Sequence, residues 1–372
     1  MAVTEKSAAP AIITTWSAVS PYGVGRESFV EGFHAAAETR AVPNPEQWAV
    51  PADGAHLVPD FDVRAQLGKK GTRSMDRATA LAVTAVRQLI GEGGDTQPAD
   101  VMRDAALVLG TASGSVHSIM SFARDTYVSE KPYMVDPARF PNAVMNCPVG
   151  TSAIWHGLHG PNVTIAGGRV SGLHALRYSL RLLAGNRAPL VLCGAVEEFS
   201  ESRAWIEHSV RRHPAATGAV LPSPSPEPLG EGCAVLRIEP GGGRDRAGLA
   251  EVLAVEFGVH GPTSSASETL GSCLRRALRA AGVEAEMVWA VAPSAPAGPL
   301  GEEEASVLDA VFGPAVTRIR PLFGDTAAVS VPFQIAATLT VAEGSPEAAG
   351  AVAVISSIDH DGEVGCAVLG IR

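Results

Sequence analysis

Short apolar runs alternate along this chain with stretches in which apolar residues return every three or four positions, so strands and amphipathic helices are expected to take turns. In the first half the runs fall at residues 11–15, 105–110, 162–166, 189–195 and 233–239. Helical spacing appears at about 26–37 and 73–93, after the strand ending at 110, ahead of the strand at 162, and from about 169 onward. The second half repeats this order, with runs at 250–258, 288–294, 315–322, 350–358 and 365–372 and helices at 267–282, 301–313 and 324–344. Two segments break the rhythm. Residues 42–63, rich in Pro, Asp and Gly, and the proline-rich stretch 212–232 both read as surface excursions. Two copies of one order predict a duplicated α/β fold, five layers deep (α-β-α-β-α), with halves at 1–240 and 241–372.

Composition narrows the class. The chain has 372 residues, 46% hydrophobic and 18% charged, enough for one large domain or two fused halves. Its net charge of -10 offers no basic surface for nucleic acid or an anionic membrane. No apolar run is long enough to span a bilayer, and the first residues, MAVTEKSAAP, do not read as a secretory leader. Five cysteines without a CxxC pair argue against a disulfide framework or a zinc site and for a reducing cytoplasm. Cys193 and Cys233 sit inside apolar runs and read as buried, inert thiols.

The stretch GPNVTIAGGRVSGLHA, residues 160–175, reads as a strand, a glycine turn and a helix start, a geometry that presents a side chain at the edge of a core. It resembles the segment that carries the acylated cysteine in thiolase-fold beta-ketoacyl synthases. Gly160, Pro161, Ser171, Gly172, Leu173, His174, Ala175 and Leu176 match that pattern. Further matching pieces are AIITTWSAVSPYG, DFDVRAQLGKKGTRSMDR, LGEGCAVLRIE and PLGEEEASVLDAVFG, in the family's order. The resemblance implies a thiolase-like fold and an active centre built from one cysteine and two histidines.

None of those three identities is present. Arg169 stands at the cysteine's place, and a guanidinium stays protonated and only donates. Ser294 stands at the first histidine (VAPSAPAGPLGEE) and Asp325 at the second (RPLFGDTAAVSV), with Arg320 where the family has lysine. The glycine-rich loop near the C-terminus reads SIDHDGEV, with Gly362 kept and His360 at a gating phenylalanine's place. Such losses are shared with the chain-length factors of bacterial type II polyketide synthases, which pair with an active ketosynthase subunit. In that subgroup residues after the second strand line a tunnel for the growing chain; here these are Val116, Ile119, Met120 and Ala123, with ordinary core or dimer packing as the alternative. A positive charge at a helix start opposes the helix dipole by about 0.3–1 kcal/mol. Arg169 is therefore expected to pair with Asp325 across the pseudo-twofold axis; the bland alternative turns it to solvent.

Smaller signals stay plain. His117, His156, His159 and His174 lack metal-ligand spacing, Glu302–Glu304 reads as a solvated helix start, and Lys69, Lys70 and Arg73 read as surface charge. The resemblance thus implies a catalytically silent subunit of a heterodimeric beta-ketoacyl synthase, shaping a polyketide or polyene chain on an acyl carrier protein. It implies no metal or soluble cofactor. Two rivals stand beside it: a malonyl decarboxylase or acyltransferase using Ser171, Ser294 or Cys147, and a homodimeric scaffold.

Overall fold

A computed structural model of the chain describes residues 9–92, 99–212, 227–241, 248–261 and 265–372. Most of the proline-rich segment at 212–232 lies outside the described residues. The first half contributes strands β1 (Ala11–Ser20), β2 (Ala106–Thr111), β3 (Asn162–Ala166), β4 (Val191–Glu197) and β5 (Gly232–Pro240). The second contributes β6 (Ala250–Val259), β7 (Val288–Ala292), β8 (Thr317–Arg318), β9 (Val352–Ile358) and β10 (Glu363–Ile371). Their spatial order is β8-β7-β9-β10-β6-β1-β5-β4-β2-β3. Read outward from the middle, each half follows the same path. The pairings repeat as well: β2 is parallel to β3 and β4, as β7 is to β8 and β9. An antiparallel seam between β1 and β6, Ala11 to Val252 through Ile13 to Ala250, joins the copies.

Alternating side chains decide the layers. In β2, Ala106 and Val108 point to a central core while Leu107 and Leu109 point to an outer one. Helices α1 (Arg26–His34), α2 (Arg77–Glu92), α3 (Val116–Val128), α4 (Cys147–His156), α5 (Ser171–Ala184) and α6 (Glu201–Arg212) belong to the first half. The second half adds α7 (Ala266–Ala281), α8 (Pro299–Phe312) and α9 (Ser330–Glu343). Leu81, Ala85 and Leu89 of α2, with Val149 of α4, cover one outer face. Leu270, Leu274 and Leu278 of α7, with Leu308 of α8, cover the other. Between the two sheet halves lie α5 and α9, whose Leu173, Leu176, Phe333 and Ile335 share the central core. The five-layered, thiolase-like arrangement is the one observed.

The central helices meet closely because Gly172 has no side chain. A Cβ there would sit 2.8 Å from Val331 Cβ and 3.0 Å from the Ala328 carbonyl. Helix α9 is buried on every side from Ser330 to Thr340, matching its run of small and apolar residues.

Three expectations need adjusting. The run at 315–322 yields only β8, an exposed pair at the edge of the sheet, in register with Ala290 and Val291. The segment 42–63 is not wholly surface, since Ala55, His56 and Val58 are buried and Arg40–Ala41 pairs with Ala55–His56. Both central helices start later than their patterns suggest. A 3-10 turn, Gly168–Val170 or Ala327–Val329, precedes each, and Gly168 and Ala327 both take positive φ (67° and 42°). Arg169 thus lies in the turn ahead of α5, and Asp325 two residues before the turn ahead of α9, where it bridges to Leu229.

Candidate functional site

The two turns face each other, and their charges meet. Arg169 Nη2 lies 2.8 Å from Asp325 Oδ1, with the arginine side chain only 5% exposed and the aspartate 15%. The same carboxylate oxygen accepts the Ala327 amide at 3.0 Å. Burial pulls the Arg169 guanidinium toward losing its proton, but Asp325 and Asp359 outweigh this and raise its pKa above the ordinary value. Burial pushes Asp325 up, yet the guanidiniums of Arg169 and Arg203 hold it below the usual carboxylate range. Arg203, itself buried, donates to the carbonyls of Glu198, Gly230 and Asp325.

A second carboxylate reaches the same centre. Asp359, from the loop after β9, accepts the backbone N–H of Arg169 at its Oδ2. Gly168 makes room for it, since a Cβ there would lie 2.1 Å from that oxygen. His360, next in the loop, adds a positive influence on Asp325. Its Nε2 is enclosed without a hydrogen-bond partner among the described residues.

Ser294 is buried beside this centre and bonded elsewhere. Its Oγ donates to both oxygens of Glu304 (3.2 and 3.1 Å) and accepts the Ile358 amide at 3.1 Å. Glu304 also receives the amides of Ser294 and Ala295 and the Ser356 hydroxyl at 2.7 Å. Expecting Glu304 to face solvent with its neighbours is incorrect, because it is fully buried and burial raises its pKa. Above Ser294, Arg320 pairs with Glu227 at 2.7 Å and donates to the Ala295 carbonyl at 2.8 Å.

Of the other two candidate nucleophiles, neither Ser171 nor Cys147 is hydrogen-bonded to a histidine or carboxylate among the described residues. Ser171 Oγ donates to the Thr111 carbonyl and accepts the Gly167 amide, a structural tie at the helix start. Cys147 is buried, with its sulfur near Asn142, Thr151 and Thr79. Burial pushes the Cys193 thiol up to about 12. Among the described residues no group of three or more His, Cys, Asp or Glu is placed to hold a metal. No described helix is long and apolar enough to cross a membrane.

The four residues expected to line a tunnel share one stripe of α3. Val116 and Ala123 are half-buried, and Ile119 and Met120 are 36% and 47% exposed. The next face of α3, through His117, Ser118 and Ser121, borders a groove of about 670 Å³ closed by Arg73, Arg139 and Asn142. Sequence reasoning missed what anchors this helix. Glu197, the last residue of buried strand β4, and Glu198 after it are adjacent acids. Glu197 accepts from the Thr111 hydroxyl and the Ala112 amide (both 2.9 Å), and Glu198 from the His117 amide at 3.0 Å. Burial pushes Glu198 up to about 7, with the charge of nearby Asp76 adding to the shift.

The profile of the beta-ketoacyl synthase N-terminal domain matches residues 9–241, more than half of the chain, and the chain belongs to that family. The 3-oxoacyl-[acyl-carrier-protein] synthase 2 of Vibrio harveyi is 27% identical over 146 residues, 39% of this chain and 35% of that protein. Its counterpart from Vibrio cholerae serotype O1 is 26% identical over 272 residues, 67% of this chain and 64% of the relative. Both alignments thus span less than two thirds of the relative's length. Among solved structures, a chain of the ishigamide ketosynthase/chain length factor superposes with a TM-score of 0.88 at 39% identity, covering 97% of this chain and 99% of that one. Within the family, the resemblance is therefore to the ketosynthase and chain-length-factor group of type II polyketide synthases.

Proposed function

We propose that this chain is the catalytically silent, chain-length-factor-like subunit of a heterodimeric ketosynthase. Its partner supplies the cysteine and both histidines, and an acyl carrier protein delivers polyketide or polyene intermediates to that partner in the cytoplasm. The observation that carries the reading is the Arg169–Asp325 pair, which fills the centre where the family keeps its nucleophile and second histidine. A permanently protonated group cannot form a thioester.

The surface supports a partner-bound life. Ile119, Met120, Phe140, Val144, Met145 and Ile154 leave large apolar side chains exposed on α3, the segment after it and α4. Nearby, β3 is the last strand of the sheet, and among the described residues no strand pairs with its outer edge. Obligate interfaces are large and apolar in this way. The stripe of Val116, Ile119, Met120 and Ala123 then faces the partner and forms half of a tunnel that measures the product.

Coexpression with an intact ketosynthase from the same source tests the reading. The two chains should copurify one to one, and the lone chain should neither take a label from malonyl carrier protein nor decarboxylate it. In the reconstituted pair, Val116→Trp should shorten the product. Turnover by the lone chain would establish the enzyme reading, and a stable, soluble homodimer the scaffold reading.

A further inference from the structure

We infer that the silent centre is a carboxylate-binding site occupied from within, with the Asp359 side chain as the built-in ligand. Three observations converge on it. The Arg169 N–H, which opens the turn into α5, donates to Asp359 Oδ2. Main-chain amides at a helix entrance are where a ketosynthase-type centre would hold the negatively charged oxygen of a reacting carbonyl. An aspartate oxygen on that amide therefore holds the position an acyl group would need.

The loop is built to keep it there. The Asp359 amide donates to the Glu363 carbonyl at 2.8 Å, and Oδ1 accepts the Asp361 amide at 3.3 Å. Gly362 closes the turn at a φ of +92°, against the His260 carbonyl. On the receiving side, Gly168 is the residue that lets the carboxylate in, because any side chain there would overlap Oδ2. The paired glycines ahead of Arg169 thus match the acid that arrives 190 positions later in the chain.

Charge completes the seal. Arg169 lies between two carboxylates, and its other partner, Asp325, is held ionised by the same guanidinium. A malonyl or acyl group would have to displace Asp359 and then sit beside Asp325, with Glu304 buried behind. The centre therefore excludes acyl substrates as well as lacking a nucleophile. This deepens the proposed function and rests on it only in taking the centre as silent.

Chemical rescue tests the inference independently of any product assay. The full chain, with its ketosynthase partner when it copurifies, is compared as wild type, Asp359→Ala and Asp359→Asn by thermal unfolding in sodium formate or sodium chloride of equal ionic strength. Asp359→Ala should unfold several degrees lower, and formate should restore at least half of that loss with saturation, whereas chloride should not. Wild type should ignore formate. Asp359→Asn keeps an acceptor oxygen but not the charge, so it should show an intermediate loss and no response to formate. An unchanged transition in Asp359→Ala, or equal rescue by chloride, overturns the inference. Should Asp359→Ala not fold, an Asp359→Asn variant as stable as wild type overturns it too. Malonyl turnover by the wild-type chain would instead strike at the silent-subunit reading and at the exclusion of acyl groups, while the rescue result alone tests the Asp359 contact.

Discussion

Arg169 shows how one residue can be costly in isolation and stabilising in place. Its charge opposes the helix dipole, yet it is nearly excluded from water between Asp325 and Asp359. Removing one partner of such a buried pair commonly costs about 3–5 kcal/mol, because the other charge is left without compensation. Arg169→Ala should therefore lower unfolding free energy by about that amount, less about 0.3–1 kcal/mol of relief at the helix start. Denaturant titration checks this, and Arg169→Ala with Asp325→Ala should recover part of the loss. The pairing was readable in sequence because two substituted positions of one motif set carried opposite charges. The part played by Asp359 was not, because the loop SIDHDGEV has diverged too far for its alignment to assign roles, and nothing in the sequence ties it to the Arg169 amide 190 positions earlier. Glu304 misled for a different reason. Within an acidic run it reads as solvated, but it lies four positions before the buried Leu308 and so shares that helix face.

Among the elements, α3 is the one whose placement bears most on function. Glu198 holds its N-terminal amide while sitting in a buried site that pushes the acid up to about 7. The folded value lies above the unfolded one of 4.5, so the folded chain binds this proton more tightly. The group therefore favours folding least once it must ionise: its contribution declines as pH rises from about 4.5 to about 7, then levels. Glu198→Gln, which cannot ionise, should gain stability relative to wild type between pH 5 and pH 8, as thermal unfolding across that range would show. Strand β3 was legible residue by residue, bracketed by Gly-Pro and Gly-Gly, and the body of helix α9 by its run apolar all round, although that helix begins at Ser330, well past the start its pattern suggests. Strand β8 was not. An alternating run predicts a strand wherever it falls, but at the edge of the sheet only Thr317 and Arg318 enter the strand ladder.

For the whole molecule, duplication is the governing fact. One strand order used twice puts the N-terminal turns of α5 and α9 face to face, and that juxtaposition creates the charged centre. The repeat of strands and helices in the sequence was enough to anticipate this, and the stripe on α3 was named from it too, while its extension through Phe140, Val144, Met145 and Ile154 emerged only in three dimensions. That face should answer to a single charge: Ile119→Asp should abolish coelution with the ketosynthase partner in gel filtration while leaving the lone chain's helical signal in circular dichroism unchanged.

The bare side of β3 carries a further consequence. Among the described residues no strand pairs with its outer side, and an edge of this kind can accept an extended peptide, including another nascent copy of this chain. Assembly then becomes a race won by local concentration, and synthesis from one message, in matched amounts, would give the correct mate the shortest path.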